Sequence, residues 1–179
     1  MTSRKVIVYI SMSLDGFIAG PKDSLSFLDS VQKEGEDYGY SEFISQIDSV
    51  IVGKRTYDIV IGMGYDFPHQ DKDAWIITRT AQPAEGTVKF YSGKLKHLVE
   101  ELKQKIGKNI FVDGGAWVVN ELLKHSLIDE FHLAIIPVLL GSGVRLFQGH
   151  YPADEFRLHE TQRYDTGLVK LIYHRKRID

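Results

Sequence analysis

The chain has no cysteine among its 179 residues. That excludes disulfides, thiolate metal ligands and thiol nucleophiles, and it suits a reducing cytoplasm. It also lacks an excess of either charge: 22 Lys and Arg stand against 24 Asp and Glu, a net charge of −2. Nothing general draws such a chain to nucleic acid or anionic lipid, so any anion must be caught by local geometry. Long hydrophobic runs are missing too. The N-terminal "MTSRKVIVYISMSLDG" alternates like a strand and is interrupted by Ser11, Ser13 and Asp15, which argues against a signal peptide or a membrane span. The seven histidines, at 69, 97, 125, 132, 150, 159 and 174, show no metal-ligand spacing, and no metal site is expected. There is no Walker loop and no GxSxG elbow, which argues against a phosphate-transfer motor and an α/β hydrolase. Trp75, Trp117 and most of the nine Phe and nine Tyr read as core or pocket lining rather than a stacking platform for nucleic acid. The expectation is one soluble, cytoplasmic domain over residues 1–179.

With 43% hydrophobic residues, the chain can build a real core. Strand-like and helix-like segments alternate, with no repeat or linker. "KVIVYIS" (5–11) reads as a strand, as does the short apolar "SVIVG" (49–53). Between them, 36–47 has helical spacing that sets Tyr40, Phe43, Ile44 and Ile47 on one side. Further strands are expected over 74–79 and 87–92. In the helix "GKLKHLVEELKQKIG", Leu95, Leu98, Val99, Leu102 and Ile106 share a face and Gly107 stops it. "NIFVD" is a strand leading into "DGGAWVVNELL", and "EFHLAIIPVLL" is another, where Pro137 implies a bulge or a free edge. The C-terminal segment reads as two antiparallel strands turning at Asp165, Thr166 and Gly167. The sum is an α/β fold, a central sheet of about eight strands with about four helices, finished by a hairpin.

Three strand ends carry anion chemistry. At "DGGA" (113–116), Gly114 and Gly115 precede a helix, where bare N–H groups and the helix dipole suit a pyrophosphate; a tight turn needing positive φ is the plainer alternative. At "VIVGKRTY" (50–57), Gly53 opens the backbone while Lys54, Arg55 and Thr56 offer charge, a hydroxyl and an N–H; the alternative is a simple helix cap beside two solvated cations. At "IITRT" (76–80), Thr78 and Arg79 fit a phosphomonoester, such as the 2′-phosphate of NADPH, unless Arg79 is only a surface charge. Three such seats on one α/β sheet are best explained by one nucleotide, because ligands gather at the carboxyl ends of strands.

Together with "SMSLDGFIAG" (11–20), "FVDGGAWVVNELLKHSLIDEF" (111–131) and "IIPVLLGSGVRLF" (135–147), these segments resemble the dihydrofolate-reductase-like fold. Within it, they resemble the reductase domain of the bifunctional riboflavin-biosynthesis deaminase-reductase and its stand-alone relatives. The resemblance implies a mixed sheet, NADPH and hydride transfer. It assigns cofactor phosphates to Gly53, Lys54, Thr56 and Tyr57, with Arg55 in a variable slot. The 2′-phosphate falls to Thr78 and Arg79, and the pyrophosphate to Gly114 and Gly115, with Ala116 first in the helix. It places Asp15 near the substrate or nicotinamide and Ser13, Leu14 and Ile18 near the ring. Asp113 stands where the family often carries Glu and is a substrate-binding candidate. Counting back sixteen residues from Gly53, as the carboxylate of dihydrofolate reductases lies, gives Asp37 as a second catalytic candidate, with Glu36 and Glu42 as alternatives. The Trp-Pro loop of those reductases is missing, which disfavours dihydrofolate reductase activity.

The resemblance thus implies an NADPH-dependent reductase of a pyrimidine- or pterin-like small molecule. The nearest case is the 5-amino-6-(5-phosphoribosylamino)uracil reductase of riboflavin biosynthesis. Lys22 and Arg145 are candidates by charge for a substrate phosphate. A non-catalytic, dimeric NADPH-binding protein and reduction of an unrelated small molecule remain as alternatives. The family's habit and the apolar "FHLAIIPVLLGSG", read as an open sheet edge, lead to the expectation of a homodimer.

Overall fold

The computed structural model describes residues 4–176. In chain order the strands are β1 (Val6–Ser13), β2 (Phe17–Ala19), β3 (Ile47–Gly53), β4 (Asp73–Ile77), β5 (Val88–Tyr91), β6 (Asn109–Gly114), β7 (Glu130–Ile136), β8 (Val144–Arg145), β9 (Phe156–Arg163) and β10 (Val169–Arg175). The helices are α1 (Tyr40–Ser45), α2 (Lys54–Gly62), α3 (Leu95–Gln104) and α4 (Ala116–Lys124), with 3-10 turns at Pro21–Asp23 and Ser26–Val31.

Eight strands form one mixed sheet in the order β5-β4-β3-β6-β1-β7-β10-β9; β2 and β8 form a separate ribbon. Pairing is parallel from β5 through β7 and antiparallel for the closing hairpin. The period of two along the strands explains why the sheet is covered on both faces. On one face, Val6 and Val8 of β1 and Ile110 and Val112 of β6 pack with Leu98, Leu102, Val119 and Leu122 of α3 and α4. The residues between them, Ile7 and Phe111, join Phe43, Val50, Val52 and Ile76 on the other.

The chain departs from the sequence expectations at three element ends. Ile47, expected on a helix face, opens β3 instead, and α1 is only Tyr40–Ser45. Helix α3 stops at Gln104 and Lys105 is extended (φ −75°, ψ 148°), so Ile106 falls off the apolar face and is 96% exposed. Strand β7 ends at Ile136, because Pro137 has no N–H for the ladder. Moreover, β7 lies between β1 and β10, and the C-terminal side of the sheet ends in the largely exposed β9. The apolar stretch Phe131–Ile136 is therefore interior and not an open edge, while the segment beyond it leaves the sheet, with Leu139 73% exposed.

Two buried ionic groups tie the start of β1 to its surroundings. Arg4, 6% exposed, donates to the carbonyls of Lys108 and Leu102 and to Ser49 Oγ, and pairs with Asp48. Glu130, equally buried, accepts from Lys5 Nζ at 2.6 Å and His132 Nε2 at 3.2 Å, with His174 Nε2 at 3.4 Å. Burial alone pushes the Glu130 carboxyl up, but the hydrogen bonds from His132 and Lys5 and the charges of Lys5 and His174 outweigh it and hold the group at about 2. A carboxyl depressed in the folded state stabilises the protein above its unfolded value, here near 4.5, and that stability disappears as the pH falls toward about 2. Glu130→Gln is accordingly expected to cost roughly 3 kcal/mol at pH 7 and progressively less below pH 4, as read by urea unfolding across that range.

Candidate active site

Strands β3 and β6 are parallel neighbours, and each passes directly into a helix at the same end of the sheet. Gly53 is the N-cap of α2 and Gly115 that of α4, and neither helix has a side-chain cap. The first-turn N–H groups are left for a ligand, at the positive ends of two helix dipoles. The two turns approach so closely that a side chain on either glycine would be crowded. A Cβ on Gly115 would lie 2.9 Å from Thr56 Oγ1, and one on Gly53 would lie 3.3 Å from Val118 and 3.4 Å from the Gly115 nitrogen. Gly114 adopts φ +111°, a left-handed backbone that favours glycine.

These turns form one wall of a cleft of about 760 Å³. The outer half contains Gly53, Lys54, Arg55, Thr56, Thr78, Arg79, Gly115 and Ala116, so the three strand ends read as anion seats converge on one space. Gly114 sits in the turn behind them. The three cations differ in availability. Lys54 pairs with Asp58 and Arg55 with Asp23, at 2.7 Å. Arg79 has no hydrogen-bond or ion-pair partner among the described residues and is exposed beside Thr78. Tyr57, in contrast, packs edge-on against Phe67 and Phe90 and supports the turn from behind.

The inner half is lined by Tyr9, Ile10, Ile18, Leu28, Tyr40 and Phe111, with Asp113 the carboxylate among them. Burial, with the Asp113 charge facing it, raises the Tyr40 phenol far above its ordinary value, so it stays a neutral hydroxyl at any physiological pH. Burial likewise pushes the Tyr9 phenol up to about 12, and its hydroxyl is engaged by the Tyr38 carbonyl at 3.2 Å. Asp113 Oδ2 lies 3.1 Å from Nε2 of His69, which is 2% exposed. Tyr9, Tyr40 and His69 are absent from the sequence-level site, since only the topology brings β1, α1 and the 63–72 loop to one end of β6.

The other substrate-side candidates fall elsewhere. Asp15 does not line the cleft. Its carboxylate accepts from Ser13 Oγ at 2.6 Å, Leu140 N–H at 3.1 Å and Gly141 N–H at 2.7 Å. These bonds, that from Ser13 first, hold its carboxyl at about 2 against the opposing effect of desolvation. Ser13 is fully buried and accepts from Phe17 N–H, while Leu14 is 59% exposed. Asp37 accepts from the N–H groups of Gly39 and Ser41 at the start of α1 and does not reach the cleft. Lys22 and Arg145 do not line it either; Arg145 donates to the Asp15 carbonyl and lies over the Phe17 ring. Among the described residues, no group of His, Asp and Glu has a metal-binding arrangement, and no helix is long and apolar enough to cross a membrane.

Residues 65–170 match the RibD C-terminal domain. The chain belongs to that family. It is 39% identical over 171 residues to the uncharacterized protein YwjB of Bacillus subtilis (strain 168), covering 95% of this chain and 97% of the relative. A crystal structure of a putative riboflavin biosynthesis protein from Shewanella sp. PV-4 superposes with a TM-score of 0.88 at 31% identity, over 97% of this chain and 99% of that one. The fold also recurs in the Thermotoga maritima diaminohydroxyphosphoribosylaminopyrimidine deaminase/5-amino-6-(5-phosphoribosylamino)uracil reductase. There the TM-score is 0.73 at 16% identity, and this chain covers 57% of that longer chain. The dihydrofolate-reductase-like fold and its riboflavin-reductase branch are thus those read from the sequence motifs.

The bonds of Asp15 generate a prediction. Asp15→Asn is expected to lower the thermal midpoint and to speed hydrogen exchange at the Leu140 and Gly141 amides at pH 7. The difference from the parent should shrink as the pH falls below 4, because the depressed carboxyl stabilises the loop only above its unfolded value. Mass-resolved exchange of the 138–141 segment reads it directly.

Proposed function

We propose that the protein is an NADPH-dependent reductase of a pyrimidine- or pterin-like small molecule. The reading rests chiefly on two uncapped helix N-termini meeting across glycines where a Cβ would be crowded. Gly53 and Thr56 on one turn and Gly115 and Ala116 on the other would hold the diphosphate. Thr78 and Arg79 would hold the 2′-phosphate; Arg79 is the cation of this cleft left without a partner among the described residues.

Bound there, NADPH supplies a hydride. The chain's own contribution is placement and exclusion of water, with Tyr9, Ile10, Ile18 and Phe111 forming an apolar wall against which a flat ring can lie. Asp113 and the Tyr40 hydroxyl are the polar groups of that inner wall suited to orient the ring and to hold a proton near it. The reductase of ribosylaminopyrimidine phosphates remains the nearest family case. Its substrate phosphate, however, finds neither Lys22 nor Arg145 at the cleft, which favours a substrate recognised through its ring.

Calorimetric titration tests the reading. NADPH is expected to bind at least about tenfold more tightly than NADH, and Arg79→Ala to remove most of that preference, since one charge-assisted phosphate contact is worth about 1.5–3 kcal/mol. No binding of either nucleotide would assign the cleft to another use.

A further inference from the structure

His69 is unusual among the buried polar residues. It lies on the loop between α2 and β4, well away in sequence from Asp113, and is packed edge-on between two rings, Phe67 at 5.3 Å and Phe111 at 5.6 Å between centroids. Its one side-chain hydrogen bond among the described residues joins Nε2 to Asp113 Oδ2. Asp113 is partly exposed, with 31% of its side chain accessible, and it lines the cleft. Its second oxygen, Oδ1, has no partner among the described residues. One oxygen is therefore fixed from behind the wall and the other is free at the wall's surface.

The consequences for the carboxylate are geometric. An aspartate has two side-chain torsions, and an exposed one samples several rotamers. A donor seated in a rigid aromatic nest selects one of them and leaves a directional acceptor facing the ligand. The wall around it is largely apolar, with the hydroxyls of Tyr40, Tyr9 and Ser11 as its other polar groups, and the Asp71 carboxylate interacts electrostatically with His69 from the loop side. A flat ring lying on that apolar wall satisfies such an acceptor with N–H groups on its edge.

We propose that His69 is a positioning residue that orients Asp113 to receive the amino and ring N–H groups of an aminopyrimidine-type edge. This rests on the reading of the cleft as the site of an NADPH-dependent reductase, and it adds the ring-recognition device and the ligand edge it selects. Each carboxylate oxygen has two lone pairs, so Oδ2 can keep His69 on one of them and, together with Oδ1, accept two adjacent N–H donors, which match the carboxylate better than one donor or an acceptor does.

The test uses 2,4-diaminopyrimidine as probe, titrated into NADPH-saturated protein and followed by the fluorescence of Trp117, which lines the cleft and is 56% exposed. His69→Phe keeps the ring packing and removes the donor; it is expected to weaken the probe about tenfold with NADPH affinity unchanged. His69→Gln restores a donor and should return affinity to within about threefold of the parent. Because the histidine acts through the carboxylate, adding His69→Phe to Asp113→Asn should cost nothing beyond Asp113→Asn alone. In the unsubstituted protein the His69 Nε2 signal in nitrogen NMR should move when the probe is added, a readout independent of whether any variant folds. If NADPH itself does not bind, the reductase reading fails. If NADPH binds but the probe does not, the ligand edge is wrong. Losses that add in the double variant, or an unmoved His69 signal with the probe bound, would overturn the positioning role.

Discussion

The cleft depends on the distance between two backbone turns. Because β3 and β6 are adjacent parallel strands, their helices start side by side, and the starts come close enough for one ligand only if the intervening side chains are removed. Gly53 and Gly115 remove them. With a Cβ at Gly115 pressed to 2.9 Å from Thr56 Oγ1, the Thr56 side chain or the turn would have to shift, disturbing the close approach of the α2 and α4 starts. The sheet order makes this possible: β6 returns to insert between β3 and β1, and ligands of open α/β sheets collect where the strand order reverses.

That dependence explains why the outer half of the cleft was legible in the sequence and the inner half much less so. The proposed phosphate seats are built from local stretches, so "VIVGKRTY", "IITRT" and "DGGA" each carry their own signal. The inner wall, proposed to take a ring, is assembled from β1, β2, the Ser26–Val31 turn, α1 and β6, segments that no short motif links. His69 illustrates the difference. In the sequence it is one of seven histidines without useful spacing, and its significance arises only from lying 3.1 Å behind Asp113. The misread element ends have similarly local causes. Ile106 continues an apolar rhythm whose helix has already stopped, and Pro137 terminates a strand without marking an edge.

The acids show how alike residues diverge by environment. Asp15, Asp37 and Asp113 all sit next to glycines or turns, and all looked suited to a substrate. In the structure Asp15 and Asp37 use their oxygens on backbone N–H groups, which makes them loop anchors; a carboxylate already holding several donors has little capacity for a ligand. Asp113 keeps one oxygen free. It is the free valence, more than the residue type, that distinguishes a recognition group from a structural one.

The same reasoning applies to the cations at the mouth of the cleft. Lys54 and Arg55 are paired with Asp58 and Asp23, so their charge is partly neutralised before any ligand arrives, and they serve the helix start and its contact with the Pro21–Asp23 turn. On the proposed function, Arg79 is the cation left to answer an extra phosphate. On that reading, discrimination between nucleotides that differ by one phosphate would be concentrated in an exposed side chain without a hydrogen-bond or ion-pair partner among the described residues. Changing it should alter preference with little effect on stability, whereas the glycines proposed to admit the diphosphate also set the close approach of the α2 and α4 starts.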